Sequence, residues 1–312
     1  MLVKVESIES VALNIIKLRL VPADNNEKEL PAFNSGAHIE IGFANKQFAR
    51  KYTLISNPEE LSFYEIAVLK VETGLGGSNW LHQNLKTGDV LTCAGPFNEF
   101  ELVQAAEHSL LIAGGIGITP ILSFVRELQR NNNSYELHYA AKSSEAAYMP
   151  SVLQQGRHEQ NHFYFNSLNQ KLDLNLVIPD FVDRHHLYIC GPSSMIENAK
   201  NIAQQKKWPA QNIHFESFGV VTTKADQGFF IKLEKSELTI FVEPKQTILE
   251  ALEQNNIPID FGCRRGECGA CVVEYFDSEV DHRDVCLTSE MRKSVLCTCV
   301  SRAENLKIKL RI

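Results

Sequence analysis

The chain lacks any long uninterrupted apolar run. In its opening stretch, MLVKVESIESVALNIIKLRL, charged and polar side chains break every apolar segment, so neither a signal-peptide core nor a membrane span is expected there. The most apolar later stretch, 110–125, carries three glycines and a proline and is too short to cross a bilayer. Cationic charge is also short: 31 Lys and Arg stand against 38 Asp and Glu, a net charge of −7. That balance argues against a nucleic-acid partner, although it leaves room for a local basic docking patch. No internal repeat or low-complexity tract occurs. The expected compartment is the cytoplasm, with no membrane partner.

What is present suits two or three globular domains. The chain has 312 residues, 44% of them apolar and 22% charged. Residues 1–103 read as all-β. The short β-rich runs Leu2–Ile8, Val11–Leu20, Ala37–Phe43, Arg50–Ser56, Phe63–Val71 and Val90–Ala94 predict an antiparallel barrel, interrupted by one helix, Ser78–Leu85. Residues 104–222 alternate strands with helices: Ser109–Ala113, a glycine turn, a helix Pro120–Gln129, then Tyr135–Ala141, His186–Cys190 and a helix from Ser193 to Gln205. This pattern predicts a parallel α/β sheet. The polar stretch Gly219–Gly228 reads as a linker. Residues 228–312 predict a small α+β domain, with strands Phe229–Leu233, Leu238–Val242 and Leu306–Leu310 and a helix Thr247–Gln254.

Of eight cysteines, six lie after residue 260. A reducing compartment makes a disulfide framework unexpected, so the group points to metal or redox chemistry. Cys263-Arg264-Arg265-Gly266-Glu267-Cys268-Gly269-Ala270-Cys271 has the C-x4-C-x2-C spacing of a plant-type [2Fe–2S] loop. Two irons and two sulfides need four converging thiolates, with backbone N–H groups turned toward the sulfurs. Gly266 and Gly269 permit the tight turns this requires, and Arg264 and Arg265 are expected to add positive potential. Zinc generally uses paired C-x2-C knuckles, and only one such pair is present. The fourth ligand must be Cys286, Cys297 or Cys299, with 27 residues separating Cys271 from Cys299 and 25 separating it from Cys297.

Two strand–turn–helix segments could bind a nicotinamide nucleotide. The first contains Gly114-Gly115-Ile116-Gly117-Ile118-Thr119-Pro120; the second is Cys190-Gly191-Pro192. Glycines admit a pyrophosphate to the backbone, the helix N-terminus supplies free N–H groups, and ligands gather at the carboxyl ends of parallel strands. The spacing is not G-x-G-x-x-G, so that fingerprint is not involved. Lys142 and Ser143, after a third strand, are candidate phosphate or ribose contacts. A flavin site is suggested by Arg50, Tyr52 and Thr53 on one barrel strand and by the run Thr73–Ser78, where Gly76-Gly77-Ser78 opens a helix. Strict strand alternation separates Tyr52 from Thr53, so a twist or bulge is expected to let them converge. Phe218, near the domain junction, could cover the other flavin face.

In this order these signatures resemble the phthalate dioxygenase reductase family, the class IA oxygenase reductases that include vanillate O-demethylase reductase. The resemblance spans the whole chain and implies a flavin barrel, a nicotinamide domain and a C-terminal β-grasp ferredoxin domain. It further implies FMN, NADH in preference to NADPH, and electron transfer to a Rieske-type non-haem iron oxygenase by a monomeric reductase. Arg50, Gly76, Gly77 and Ser78 would hold the FMN phosphate. Tyr52 and Thr53 would bind its ring, with Ala67 a further contact, and Thr119 and Cys190 would flank the nicotinamide. Thr53, Thr119 and Cys190 would be the catalytic positions. The closing segment Cys299-Val300-Ser301-Arg302 favours Cys299 as the fourth ligand. Thr53 replaces the family's usual serine, Leu75 replaces a frequent arginine, and Lys142 replaces another. The partner's substrate would be an aromatic acid such as vanillate or a quaternary ammonium compound such as carnitine. Rival readings are an FAD enzyme serving another acceptor, and an electron carrier or redox sensor.

Overall fold

The structure, a computed structural model, describes all residues except 25, 27, 45–47, 72–75, 156–159, 219–226 and 289. Most of the expected linker 219–228 and the start of the run Thr73–Ser78, including Leu75, thus lie outside the described residues. The chain forms two compact units, Met1–Glu216 and Ser217–Ile312.

The first unit begins with an antiparallel sheet of β1 (Leu2–Ala12), β2 (Ile15–Pro22), β3 (His38–Phe43), β4 (Phe48–Thr53), β5 (Tyr64–Leu69) and β6 (Val90–Phe97). Its order is β4-β3-β6-β1-β2-β5. The outer strands meet where Ile55 N–H, just beyond β4, donates to the Glu65 carbonyl at 2.9 Å. This closes the sheet toward a barrel and leaves fewer edge groups unpaired. The first hairpin turns later than the sequence suggests. Val11 belongs to β1, and the turn sits at Leu13–Asn14, where Asn14 adopts φ 61°. Asparagine tolerates this left-handed conformation better than the β-branched residues around it. The expected helix appears as α1 (Gly77–Asn84).

The same unit carries a parallel sheet ordered β11-β10-β7-β8-β9, from β7 (His108–Gly114), β8 (Ser134–Ala141), β9 (Asn161–Phe165), β10 (His185–Cys190) and β11 (Ile213–Glu216). Its helices are α2 (Ile118–Arg130), α3 (Ser151–Gln155), α4 (Leu174–Val177) and α5 (Ser193–Gln205). Strands β9 and β11 are additions to the sequence expectation. In α2, Ile118, Ile121, Leu122, Val125 and Leu128 recur at helical spacing and are buried. Phe124 packs on Phe100 of the barrel region, with ring centroids 5.1 Å apart, and on Tyr188 of β10 at 5.2 Å. One hydrophobic core therefore serves both sheets.

The second unit has a sheet ordered β13-β12-β18-β14-β16. Its strands are β12 (Phe229–Leu233), β13 (Thr239–Val242), β14 (Val272–Phe276), β16 (Val295–Cys297) and β18 (Lys307–Leu310), with α6 (Ile248–Gln254) packed on it; a separate pair joins β15 (Val280–Asp281) to β17 (Arg302–Ala303). Strands β12 and β18 run parallel and the other neighbours antiparallel, a β-grasp arrangement. Along β12, Phe229, Ile231 and Leu233 face the core while Phe230 is exposed, as period-two geometry dictates. Thr247 and Glu250 form a capping box at the start of α6. The buried Arg302 guanidinium donates to the carbonyls of Gln246 at 2.8 Å, Gln227 at 3.0 Å and Glu243 at 3.2 Å. Replacing Thr247 with Ala removes an N-cap acceptor and should cost about 1 kcal/mol. It should lower the denaturation midpoint of the second unit, and an unchanged midpoint would show that the cap adds nothing.

Candidate functional site

The cysteine loop has the main-chain arrangement a thiolate cluster needs. Cys263 Sγ accepts N–H groups from Arg265 at 3.3 Å, Glu267 at 3.4 Å and Cys268 at 3.4 Å, and Cys263 N–H donates to Cys268 Sγ at 3.3 Å. Such bonds stabilise negative sulfur. They require Arg264, Gly266 and Gly269 at φ 55°, 74° and 73°. At Gly266 a side chain is excluded on space as well, because a Cβ would lie 2.7 Å from Val300 Cγ2. The Gly266 N–H also serves Cys299, whose thiol is pushed up by its hydrogen bond to Cys271 and by burial. Cys271 is correspondingly held low by the thiols of Cys297 and Cys299. Cys297 is turned toward a different neighbour as well, with its sulfur 3.5 Å from Cys286 Sγ.

Several supporting residues were not anticipated. Thr298 donates its N–H and its hydroxyl to the Cys271 carbonyl, at 3.1 Å and 3.0 Å, which holds the 297–299 segment against the loop. Glu267 accepts the Ser217 N–H at 2.6 Å. The expectation that Arg264 and Arg265 add positive potential needs correction. Arg264 pairs with Glu253 at 2.5 Å and Arg265 with Glu267 at 3.0 Å, so each guanidinium is largely neutralised within the loop region. These contacts depend on tertiary placement and leave no spacing signature.

In the parallel sheet the two glycine-bearing turns are pressed together. A Cβ on Gly114 would stand 2.8 Å from Pro192 Cδ and 2.9 Å from Met195 Cε. One on Gly117 would strike the Cys190 carbonyl and lie 2.9 Å from Gly191 N. Gly115, at φ 56°, has nothing within 4 Å of its Cβ position, so this point of the turn is open to a ligand. Thr119 is buried, and its hydroxyl donates to the Ile116 carbonyl at 3.0 Å. Pro120 lies in the first turn of α2. Cys190 ends β10 fully buried, opposite Ala113 on one side and Glu216 on the other. Glu216 is a buried carboxylate that no motif flagged. Lys142 is exposed just past β8; the Ser143 hydroxyl accepts the Ala146 N–H at 3.4 Å.

On the barrel, Arg50 and Tyr52 project to the half-buried side of β4, while Thr53 is buried on the other. The irregularity expected near them lies in the neighbouring β3–β6 ladder, between His38 and Glu40; β4 itself pairs with β3 without a register shift, and His38 faces Thr53. The Thr53 hydroxyl is buried with no hydrogen-bond partner among the described residues, a position open to a ligand acceptor. Burial pushes the Tyr52 hydroxyl well above its ordinary range, partly offset by Arg50. Arg50 lies across the start of α1, since a Cβ on Gly77 would be 3.3 Å from its Nε. Gly76, at φ 84°, is the N-cap, and Ser78 Oγ accepts the Val71 N–H at 3.1 Å, leaving its own proton to donate. A guanidinium beside free helix N–H groups suits a phosphate monoester. Ala67 is buried in β5. Phe218 is exposed and belongs to the second unit.

The comparisons agree with this division of labour. Three family profiles match: an "Oxidoreductase FAD-binding domain" at residues 2–102, an "Oxidoreductase NAD-binding domain" at 111–201 and a "2Fe-2S iron-sulfur cluster binding domain" at 231–304. The carnitine monooxygenase reductase subunit of Escherichia coli K12 is 35% identical, over 99% of this chain and 97% of its own. The vanillate O-demethylase oxidoreductase of Pseudomonas sp. HR199 is 33% identical, over 96% of each. The solved structure of phthalate dioxygenase reductase matches with a TM-score of 0.78 and 29% identity, covering 100% of this chain and 98% of that one.

Fold and site thus define an NAD(P)H-dependent flavin iron–sulfur oxidoreductase. The chain belongs to the phthalate dioxygenase reductase family.

Because Gly117 abuts the Cys190 carbonyl, Gly117→Ala should displace the two turns from one another. NADH-driven flavin reduction should fall at least tenfold while the flavin stays bound. Stopped-flow absorbance reads this directly, and an unchanged rate would show that the contact yields without consequence.

Proposed function

We propose that the protein is the reductase component of an oxygenase system, taking electrons from NADH through FMN and a [2Fe–2S] cluster to a separate Rieske-type oxygenase. The observation that carries this reading is the loop in which three backbone N–H groups point at Cys263 Sγ and the Gly266 N–H points at Cys299. Cys263, Cys268, Cys271 and Cys299 are the cluster ligands in this reading. Cys299 is preferred to Cys297 because a loop N–H serves it; both thiols bond Cys271, and the Cys297 sulfur also lies 3.5 Å from Cys286 Sγ.

A bound flavin would accept the two electrons of a hydride and release them singly, the form in which an iron–sulfur cluster takes them. The work of the chain is to position these groups. Arg50 with Gly76, Gly77 and Ser78 forms a cradle for one phosphate, which favours FMN. Tyr52 and Ala67 line the ring site, and the Thr53 hydroxyl donates to the ring edge. Gly115 admits the dinucleotide backbone, Gly114 and Gly117 hold the Gly191 and Pro192 turn beside the helix start at Pro120, Lys142 and Ser143 meet the cofactor's phosphate or ribose, and Thr119 and Cys190 confine the nicotinamide. In domain terms these roles fall to residues 1–103, 104–222 and 228–312. Relatives that bear carnitine monooxygenase and vanillate demethylase names support an oxygenase as the acceptor. We infer a cytoplasmic monomer; no described helix is long and apolar enough to cross a membrane.

Cys268→Ala should abolish cytochrome c reduction through the cluster while NADH still reduces the flavin. If flavin reduction also vanished in folded protein, the electron order would be wrong. The wild-type chain should carry two irons and two acid-labile sulfides, as its loop spacing implies, and should release FMN on denaturation. Cys299→Ala should lose the iron and the visible cluster absorbance, and Cys297→Ala should keep both. The reverse pattern would move the fourth ligand to Cys297.

A further inference from the structure

Away from the nicotinamide turns, strands β8 and β9 bring two imidazoles and a carboxylate to one point. Glu136 and His138 are two residues apart on β8 and so share a face, and His162 on β9 is the register partner of His138. Glu136 Oε1 lies 3.0 Å from His138 Nε2 and 3.1 Å from His162 Nε2. The two rings are stacked at 4.7 Å with 15° between their planes. One donor atom from each of the three residues falls within 4.8 Å of the others.

We propose that Glu136, His138 and His162 form a binding site for a divalent transition-metal ion of the zinc type, which ties the edge strand β9 to β8.

Four observations support the proposal. Two imidazole nitrogens with one carboxylate oxygen are a donor set suited to zinc, and far less to calcium or magnesium, which prefer oxygen alone. Glu136 Oε1 stands 3.0 Å and 3.1 Å from the two imidazole nitrogens, close to the roughly 3.4 Å between ligands of a tetrahedral ion with bonds of about 2.1 Å, and all three donor atoms lie within 4.8 Å of one another. The other nitrogen of His138, Nδ1, is 3.0 Å from the Tyr164 hydroxyl, the outer contact that orients a metal-binding imidazole. Finally, the site has one fixed member and two accessible ones. The His138 side chain is 5% exposed, while Glu136 and His162 are 41% and 39% exposed, which leaves an entry path and a position for water. Glu136 and His138 also line a cavity of about 320 Å³, together with His108 and His185.

The test uses the full chain with flavin and cluster in place. After dialysis against a chelator, zinc chloride is added by equilibrium dialysis and bound zinc is measured by mass spectrometry. The wild-type chain should bind one zinc ion. His162→Ala, at a half-exposed position, and Glu136→Gln should each weaken binding at least tenfold. Cys286→Ser should leave binding unchanged. Zinc should raise the melting temperature of the wild-type chain and not that of His162→Ala. X-ray absorption at the zinc edge should show nitrogen and oxygen at about 2.0–2.1 Å, without sulfur at about 2.3 Å. Failure of the wild-type chain to bind zinc, undiminished binding by His162→Ala, or sulfur in the zinc shell would overturn the proposal.

Discussion

The chemistry of this chain depends on main-chain N–H groups being turned toward negative charge. At the cysteine loop the donors already have their acceptors, since Cys263 Sγ receives three of them within six residues of chain. At the start of α1 the first-turn N–H groups stand beside the Arg50 guanidinium. At the start of α2 the backbone around Gly115 is open. Anionic groups such as thiolates and phosphates are costly to bury, and backbone dipoles fixed in advance offset that cost without reorganisation.

Fixing those dipoles constrains everything around them. Positive φ angles at Arg264, Gly266 and Gly269 orient the cysteine loop. Close approach in the parallel sheet demands the absence of Cβ atoms at Gly114 and Gly117, where Pro192 and the Cys190 carbonyl occupy the space. The second unit adds braces that act at a distance in sequence. Thr298 is bonded to the Cys271 carbonyl, Asp284 accepts the Leu287 N–H at 2.9 Å behind the loop, and Arg302 gathers three carbonyls near the start of α6. None of these residues carries redox chemistry, but each limits how far a ligand-bearing segment can drift.

Relatives at 33–35% identity span nearly its full length, and three domain families match in order along the chain. Within that scaffold the side chains meet in the His138–His162 stack, the Cys286–Cys297 contact and the pairing of Arg264 with Glu253.

By itself the sequence determined the order of the parts and the cysteine chemistry, because local rules govern both. Period-two and period-3.6 apolar patterns mark strands and helices, and C-x4-C-x2-C spacing reflects the geometry of a single loop. The short strands Asn161–Phe165 and Ile213–Glu216 escaped because each is held by its neighbours in the sheet more than by its own pattern. Arg264 was legible as a charge but not as half of an ion pair, since Glu253 lies on α6 and the rotamers depend on the fold. Only the tertiary structure placed Gly117 against Cys190, Arg50 over Gly77, and His162 beside His138. Such meetings arise from strand order and register, which are set by packing across the whole unit and leave no trace in any short window of residues.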